Sequence, residues 1–413
     1  MNVRRNVRRG AAALAAVGVI AAAAPATAAS PSPSPSTALP SGLYGGTDPK
    51  YDGVWRQSLA LLAQRTVGVR PAAEAVDWLA GQQCADGGFP AYRPDPATSC
   101  EKTKAQADTN STAAAVQALK ALGEHDGEVH KAAVWLKKAQ NKDGGWGYTP
   151  GSPSDTNSTS VVVGALAAAG EDPLHLRTGT RTPADLLATW SIPCDEDGGG
   201  ALAYQPDKKG GLAANADATA AGVLGALGKG FVTTAAKAPE EGYACADSDK
   251  PLTPREIAGN GAAYLADEMH DSGHLTSALP GAKDQPDYGN TADAVVALAA
   301  RGWTKQAHKP YAWLEKNAAR WAKQSGPAAY AQLILTAHAM GADPRHFGGT
   351  DLVRALGATG PAPRTATARA TGGETEPAGH DSGTSLWWIV GTGLVAGIGI
   401  GFLLSGRRRR QQP

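Results

Sequence analysis

Aromatic side chains are scarce in this chain, at 6% of 413 residues, and only four are Phe. Net charge is almost absent, at +1, and there are four cysteines. Each shortage excludes something. Eight arginines lie in the terminal segments, and once these, Arg364 and Arg369 are set aside, acidic residues outnumber basic ones. An acidic, exported domain is a poor partner for nucleic acid. No two cysteines stand at close ligand spacing, which argues against zinc. No Leu-Pro-x-Thr-Gly signal precedes the C-terminal apolar segment, and Leu356-Gly357-Ala358-Thr359-Gly360 is a poor copy, so a retained anchor is favoured over cell-wall attachment.

The two ends supply the export signals. Residues 1–29 combine Arg4, Arg5, Arg8 and Arg9, an apolar run from Ala11 to Ala24 and a small-residue site at Ala26-Thr27-Ala28, the pattern of a secretory signal peptide. Whether Sec or Tat carries it is open. Leu386 to Leu404 is uncharged and, at 1.5 Å per residue, long enough to cross a hydrocarbon core of ~30 Å. Arg407 to Arg410 in the tail 405–413 mark its cytoplasmic side, and Trp387 and Trp388 suit the outer interface. A Pro/Ser-rich linker (30–44) and a stalk (357–385) flank one extracellular domain, 45–356. Outside the cell, an even cysteine count implies two disulfides. Three pairings are open, and the local one, Cys84 with Cys100 and Cys194 with Cys245, is expected.

What the domain does have is repetition. Gln82-Gln83-Cys84-Ala85-Asp86-Gly87-Gly88-Phe89, Ala139-Gln140-Asn141-Lys142-Asp143-Gly144-Gly145-Trp146 and Pro193-Cys194-Asp195-Glu196-Asp197-Gly198-Gly199-Gly200 follow amphipathic stretches at Pro71–Gln83, Glu128–Gln140 and Pro183–Trp190. A second kind of helix is apolar all round: Ser111–Leu122, Ser158–Ala169, Ala218–Leu227, Thr291–Ala300 and Ala328–Met340. Short polar residues precede three of these, beginning at Asp108, Asp155 and Asn215, and suit helix capping. Gly123, Gly170, Gly228, Gly302 and Gly341 end the five. Two helix types in alternation predict an all-α fold: an α/α toroid of five or six hairpins, with buried helices inside and amphipathic ones outside, plus the C-terminal transmembrane helix.

The phrase Gln-x-x-Asp-Gly-Gly-Trp at Gln140–Trp146 resembles the repeat of squalene and terpene cyclases and of protein prenyltransferase β subunits. In that family the Gln and Trp brace neighbouring hairpins, so the likeness implies fold more than activity. A protonating cyclase needs Asp-x-Asp-Asp; here only Asp217 survives, in Asn215-Ala216-Asp217-Ala218-Thr219-Ala220, and the plain reading of Asp217 is a helix cap. No Asp-Asp-x-x-Asp run occurs. Cys245 and Asp247 stand in the wrong order for a prenyltransferase zinc site, and His270 and His274 are separated by a turn. No metal site and no cofactor are expected. A third branch of the family, the transcobalamin-like proteins, binds cobalamin without catalysis, and the helix starts at Asp108 and Asp155 are similar to that branch.

Composition of the inner wall weighs most. A carbocation cavity is lined with rings, whose faces stabilise a desolvated cation by ~2 kcal/mol or more. Among the five apolar helices Tyr330 is the single aromatic. The rings follow the Gly-Gly turns instead, which places Tyr92, Trp146, Tyr148, Tyr204 and Tyr288 beside Asp108, Asp155 and Asp217 as a candidate ligand-binding rim, Trp146 also suiting a turn brace. The expected function is a membrane-anchored, non-catalytic binding module for a small ligand, with a corrinoid implied by the transcobalamin-like branch and a separate surface protein supplying the lid. The alternatives are an active terpene cyclase or prenyltransferase with Asp217 as acid, and a protein-interaction scaffold.

Overall fold

The computed structural model describes residues 39–238, 244–247, 250–278 and 284–364. The expected signal peptide at 1–29 and the expected membrane segment at 386–404 lie outside the described residues. Within the described residues, no helix is long and apolar enough to cross a membrane.

In chain order the helices are α1 (Gly53–Thr66), α2 (Ala73–Gly81), α3 (Cys100–Thr103), α4 (Thr109–Leu122), α5 (Asp126–Lys138), α6 (Thr156–Ala168) and α7 (Pro183–Thr189). They continue with α8 (Ala216–Ala226), α9 (Pro254–Glu268), α10 (Tyr288–Arg301), α11 (Thr304–Ser325), α12 (Pro327–Ala339) and α13 (Leu352–Gly357). Helix α1 packs on α4, α4 on α6, α6 on α8, α8 on α10 and α10 on α12, and α12 returns to α1. Six inner helices therefore close a ring. Around it, α2, α5, α7, α9, α11 and α13 form the outer layer, each against one or two inner helices.

Five inner helices coincide with the apolar runs read from the sequence, and α1 is the sixth. It escapes a hydropathy reading because it buries Arg56, Gln57, Ser58 and Gln64. The Arg56 guanidinium is satisfied by Tyr44 O, Thr47 and Asp52, and Gln57 bonds Tyr44 N, Gly42 O and Ala75 O. Buried polar groups so fully paired specify a neighbour rather than weaken the core. The packed chain also runs beyond 45–356: Leu43 and Tyr44 are buried, Pro361 O accepts from the Tyr44 hydroxyl, and Arg364 N donates to Arg70 O.

The repeat has a clear physical logic. After each of the three Gly-Gly turns, and after the Ser272-Gly273 turn, a backbone N–H donates to a Thr hydroxyl in the first turn of the next inner helix: Phe89 to Thr112, Trp146 to Thr159, Leu202 to Thr219 and Leu275 to Thr291, at 2.9–3.0 Å. Short ladders add to this in two repeats, β1 (Phe89–Pro90) with β2 (Ala107–Asp108) and β3 (Leu275–Thr276) with β4 (Pro286–Asp287). Gln83 donates to Glu128 O, and Gln140 to Gly144 O and Leu176 O, tying each turn to the next hairpin. The turns need glycine. Gly87 and Gly144 have φ of +103° and +91°, and a Cβ there would run into the backbone of Lys131 or Thr182. The expected disulfides are both formed, Cys84–Cys100 and Cys194–Cys245.

Candidate functional site

The inner helices start at one rim, where side chains bridge their first and second turns. Asn157 of α6 donates to the Asp217 carboxylate of α8 at 2.6 Å, and Gln332 of α12 donates to Gly289 O and Asp293 of α10 at 3.0 and 2.8 Å.

Below this rim the ring is not open. The segment after α8 turns into the lumen from the other end. Gly230 lies against Gln117 of α4 and Gly164 of α6, and Phe231 N donates to the Gln117 carbonyl at 2.8 Å. The Phe231 ring meets Trp55 of α1 edge-on at 5.4 Å, Lys229 Nζ donates to Ala300 O and Ala236 N to Ala299 O of α10. The segment thus touches four inner helices and is itself the continuation of a fifth. Phe231 and Trp55 thus meet between the inner helices.

Asp108 and Asp155 are the N-caps of α4 and α6, 2% and 1% exposed, each accepting at 2.6 Å from the backbone of Ser111 or Ser158. Tyr148 and Tyr204 hydrogen-bond to these caps through their hydroxyls, and their backbone carbonyls accept from Thr109 N and Thr156 N. Burial pushes the Asp108 carboxyl up to about 7 and that of Asp155 up to about 6, against the pull of their donors. Burial, then the neighbouring carboxylates, raise both tyrosine hydroxyls. These two pairs are repeats of one brace.

Asp217 is not a cap. Asn215 caps α8, accepting from Ala218 N at 2.8 Å, and Asp217 is the second helical residue. The residue is half-buried. Burial raises its carboxyl well above the ordinary carboxylate range; Asp293, Asp287 and Asp155 raise it further, and Asn157 pulls it down. These neighbours belong to other helices and their caps. Burial also lifts Asp293, to about 6, and Asp287, the N-cap of α10.

The rings divide. Trp146 is fully buried and donates from Nε1 to Leu136 O at 2.7 Å, so it braces its turn and is withdrawn from the rim. Tyr92 stacks on Trp78 of α2, centroids 6.4 Å apart, on the outer layer. Tyr288 does sit at the rim, stacked between Trp313 and Trp321 of α11 at 5.1 and 5.6 Å, with His274 on the far face of Trp313 at 4.3 Å. The sequence reading missed Asn157, Asp287, Asp293, Gln332 and Trp321. A usable signal exists for two of them: Asp293 and Gln332 are polar residues inside otherwise apolar inner-helix runs. Among the described residues no group of three or more His, Cys, Asp or Glu is placed to hold a metal ion.

Residues 109–171 match the family model of the squalene-hopene cyclase C-terminal domain. The chain is similar in structure to ent-copalyl diphosphate synthase from Streptomyces platensis, with TM-score 0.45 and 16% identity over 70% of this chain, and it spans 50% of that enzyme's length. It is also similar to the type II terpene cyclase MstE from Scytonema, TM-score 0.42 and 12% identity over 66% of this chain and 72% of that one. A protein from Actinoplanes matches with TM-score 0.45 and 13% identity over 73% and 94% of the two chains. Among curated proteins no sequence matches. The family match at residues 109–171 spans α4 to α6, and that stretch, with the Gln140 and Trp146 that brace its turn, is similar to the squalene-hopene cyclase C-terminal domain.

Proposed function

We propose that this protein is an exported, membrane-anchored toroid that binds a small ligand at its rim and performs no cyclisation. The observation that carries the reading is the occupied lumen: Gly230 and Phe231 stand where a folded polyprenyl chain would need an open cavity. The lumen has few rings to stabilise a cation, and a polar rim suits recognition by hydrogen bonds. A corrinoid is the specific candidate, because its periphery carries primary amides that match a rim of carboxyl and amide groups. A separate lid protein and a C-terminal membrane anchor belong to the same proposal. Titration calorimetry of cyanocobalamin into the detergent-solubilised full chain tests it. Saturable binding is expected; absence of binding, with and without neighbouring surface proteins, overturns the corrinoid assignment.

A second reading rests on one observation, the raised Asp217 carboxyl. A cyclase acid must hold its proton before donating it to an alkene, and burial shifts Asp217 in that direction. Turnover of a polyprenyl substrate, abolished in Asp217→Asn, would establish that reading over binding.

A further inference from the structure

The polar groups at the rim are unbalanced in a way that specifies what enters. Among the described residues no Lys, Arg or His pairs with Asp217, Asp287 or Asp293. Each amide nitrogen there already donates to a protein acceptor. Asn157 Nδ2 donates to Asp217, Asn290 Nδ2 to Asp287 at 2.9 Å, and Gln332 Nε2 to Gly289 O and Asp293. Acceptors are left over. Asn157 is 2% exposed, its amide head lies against the Asp217 carboxyl, and its Oδ1 has no hydrogen-bond partner. Asn290 Oδ1 is likewise unpaired. A buried acceptor without a partner is costly, and its presence beside two half-open carboxyl groups marks a place completed by a donor from outside.

We infer that the rim between α6, α8 and α10 receives an N–H-donating group, a primary amide or a protonated amine, between Asp217 and Asp293, with Asn157 Oδ1 accepting one of its hydrogens. This rests on the binding reading above and names the chemistry of its ligand. An ester of the same shape offers no hydrogen and leaves the acceptor unpaired.

Calorimetry on the full chain with three probes tests it: cyanocobalamin, whose side chains are amides; heptamethyl cobyrinate, whose side chains are methyl esters without N–H groups; and spermidine, a polyamine. Cyanocobalamin binding with the ester at least about tenfold weaker supports the inference, as does a similar weakening for cyanocobalamin in Asp293→Asn and Asp217→Asn. The amide and ester comparison uses the unaltered protein, so it stands even if a variant folds poorly. Spermidine binding without cyanocobalamin binding, lost in Asp293→Asn, upholds the donor site and removes the corrinoid. Equal binding of amide and ester, unchanged in both variants, overturns the donor site and leaves the corrinoid reading intact. Binding of none of the three overturns both.

Discussion

Asn157 and Asp217 stand 60 positions apart in the chain, yet the amide of one donates to the carboxylate of the other at 2.6 Å. The contact joins the first turns of α6 and α8 and partly offsets the rise that burial and Asp293 impose on Asp217. Two kinds of acid are distinct here: Asp108 and Asp155 cap helix starts, whereas Asp217 lies inside the first turn of its helix.

Stability should fall as pH rises from about 4 to 7. Asp108 in the folded state titrates at about 7, and Asp155 and Asp293 at about 6, against 3.8 for an ordinary Asp. The folded protein thus holds protons that the unfolded chain releases, so raising pH through this window favours unfolding. Below about 4 the order reverses, because Asp185 and Glu256 are held low by the backbone N–H groups of Thr182 and Thr253 in their capping boxes. Calorimetric melts should show a midpoint several degrees higher at pH 5 than at pH 8.

Replacing Thr159 by Val keeps the shape of the side chain but removes the acceptor for Trp146 N. That buried N–H is left unpaired, which costs about 1–3 kcal/mol. Urea unfolding of Thr159→Val should show a lower midpoint with an unchanged slope.

Gly144→Ala should destabilise far more than Gly151→Ala. Both glycines have positive φ, but a Cβ on Gly144 meets the Thr182 backbone, whereas one on Gly151 meets nothing within 4 Å. Paired thermal melts check the difference, with Gly144→Ala expected to lose more than about 2 kcal/mol.

Phe231→Ala should open the lumen. The half-buried ring makes an edge contact with Trp55, and its loss should cost about 1–3 kcal/mol and leave an apolar hollow. Increased binding of a fluorescent apolar dye, with a lower melting midpoint, is the expected result; an unchanged dye signal would show that the segment does not fill the ring.

The toroid was legible in the sequence because its inner helices are apolar on every side and its turns repeat Asp-Gly-Gly at hairpin spacing. The local disulfides were legible for the same reason, since each closes over one turn. Helix α1 was not, because Arg56, Gln57 and Gln64 are buried by partners that only the closed ring brings near. The acidic rim was illegible too. Asp217 and Asp293 lie on separate helices, and nothing in a linear segment reveals that Asp293 raises Asp217. Trp146 looked like a rim ligand because it follows a turn, but burial and its bond to Leu136 O make it a brace.

Rim binding without chemistry in the lumen is tested by a parallel assay of the full chain: calorimetric titration with cyanocobalamin beside incubation with polyprenyl substrates and product detection. Saturable binding and no cyclised product are the expected result. A cyclised product formed by the parent protein and lost in Asp217→Asn, with no cobalamin binding, would contradict it.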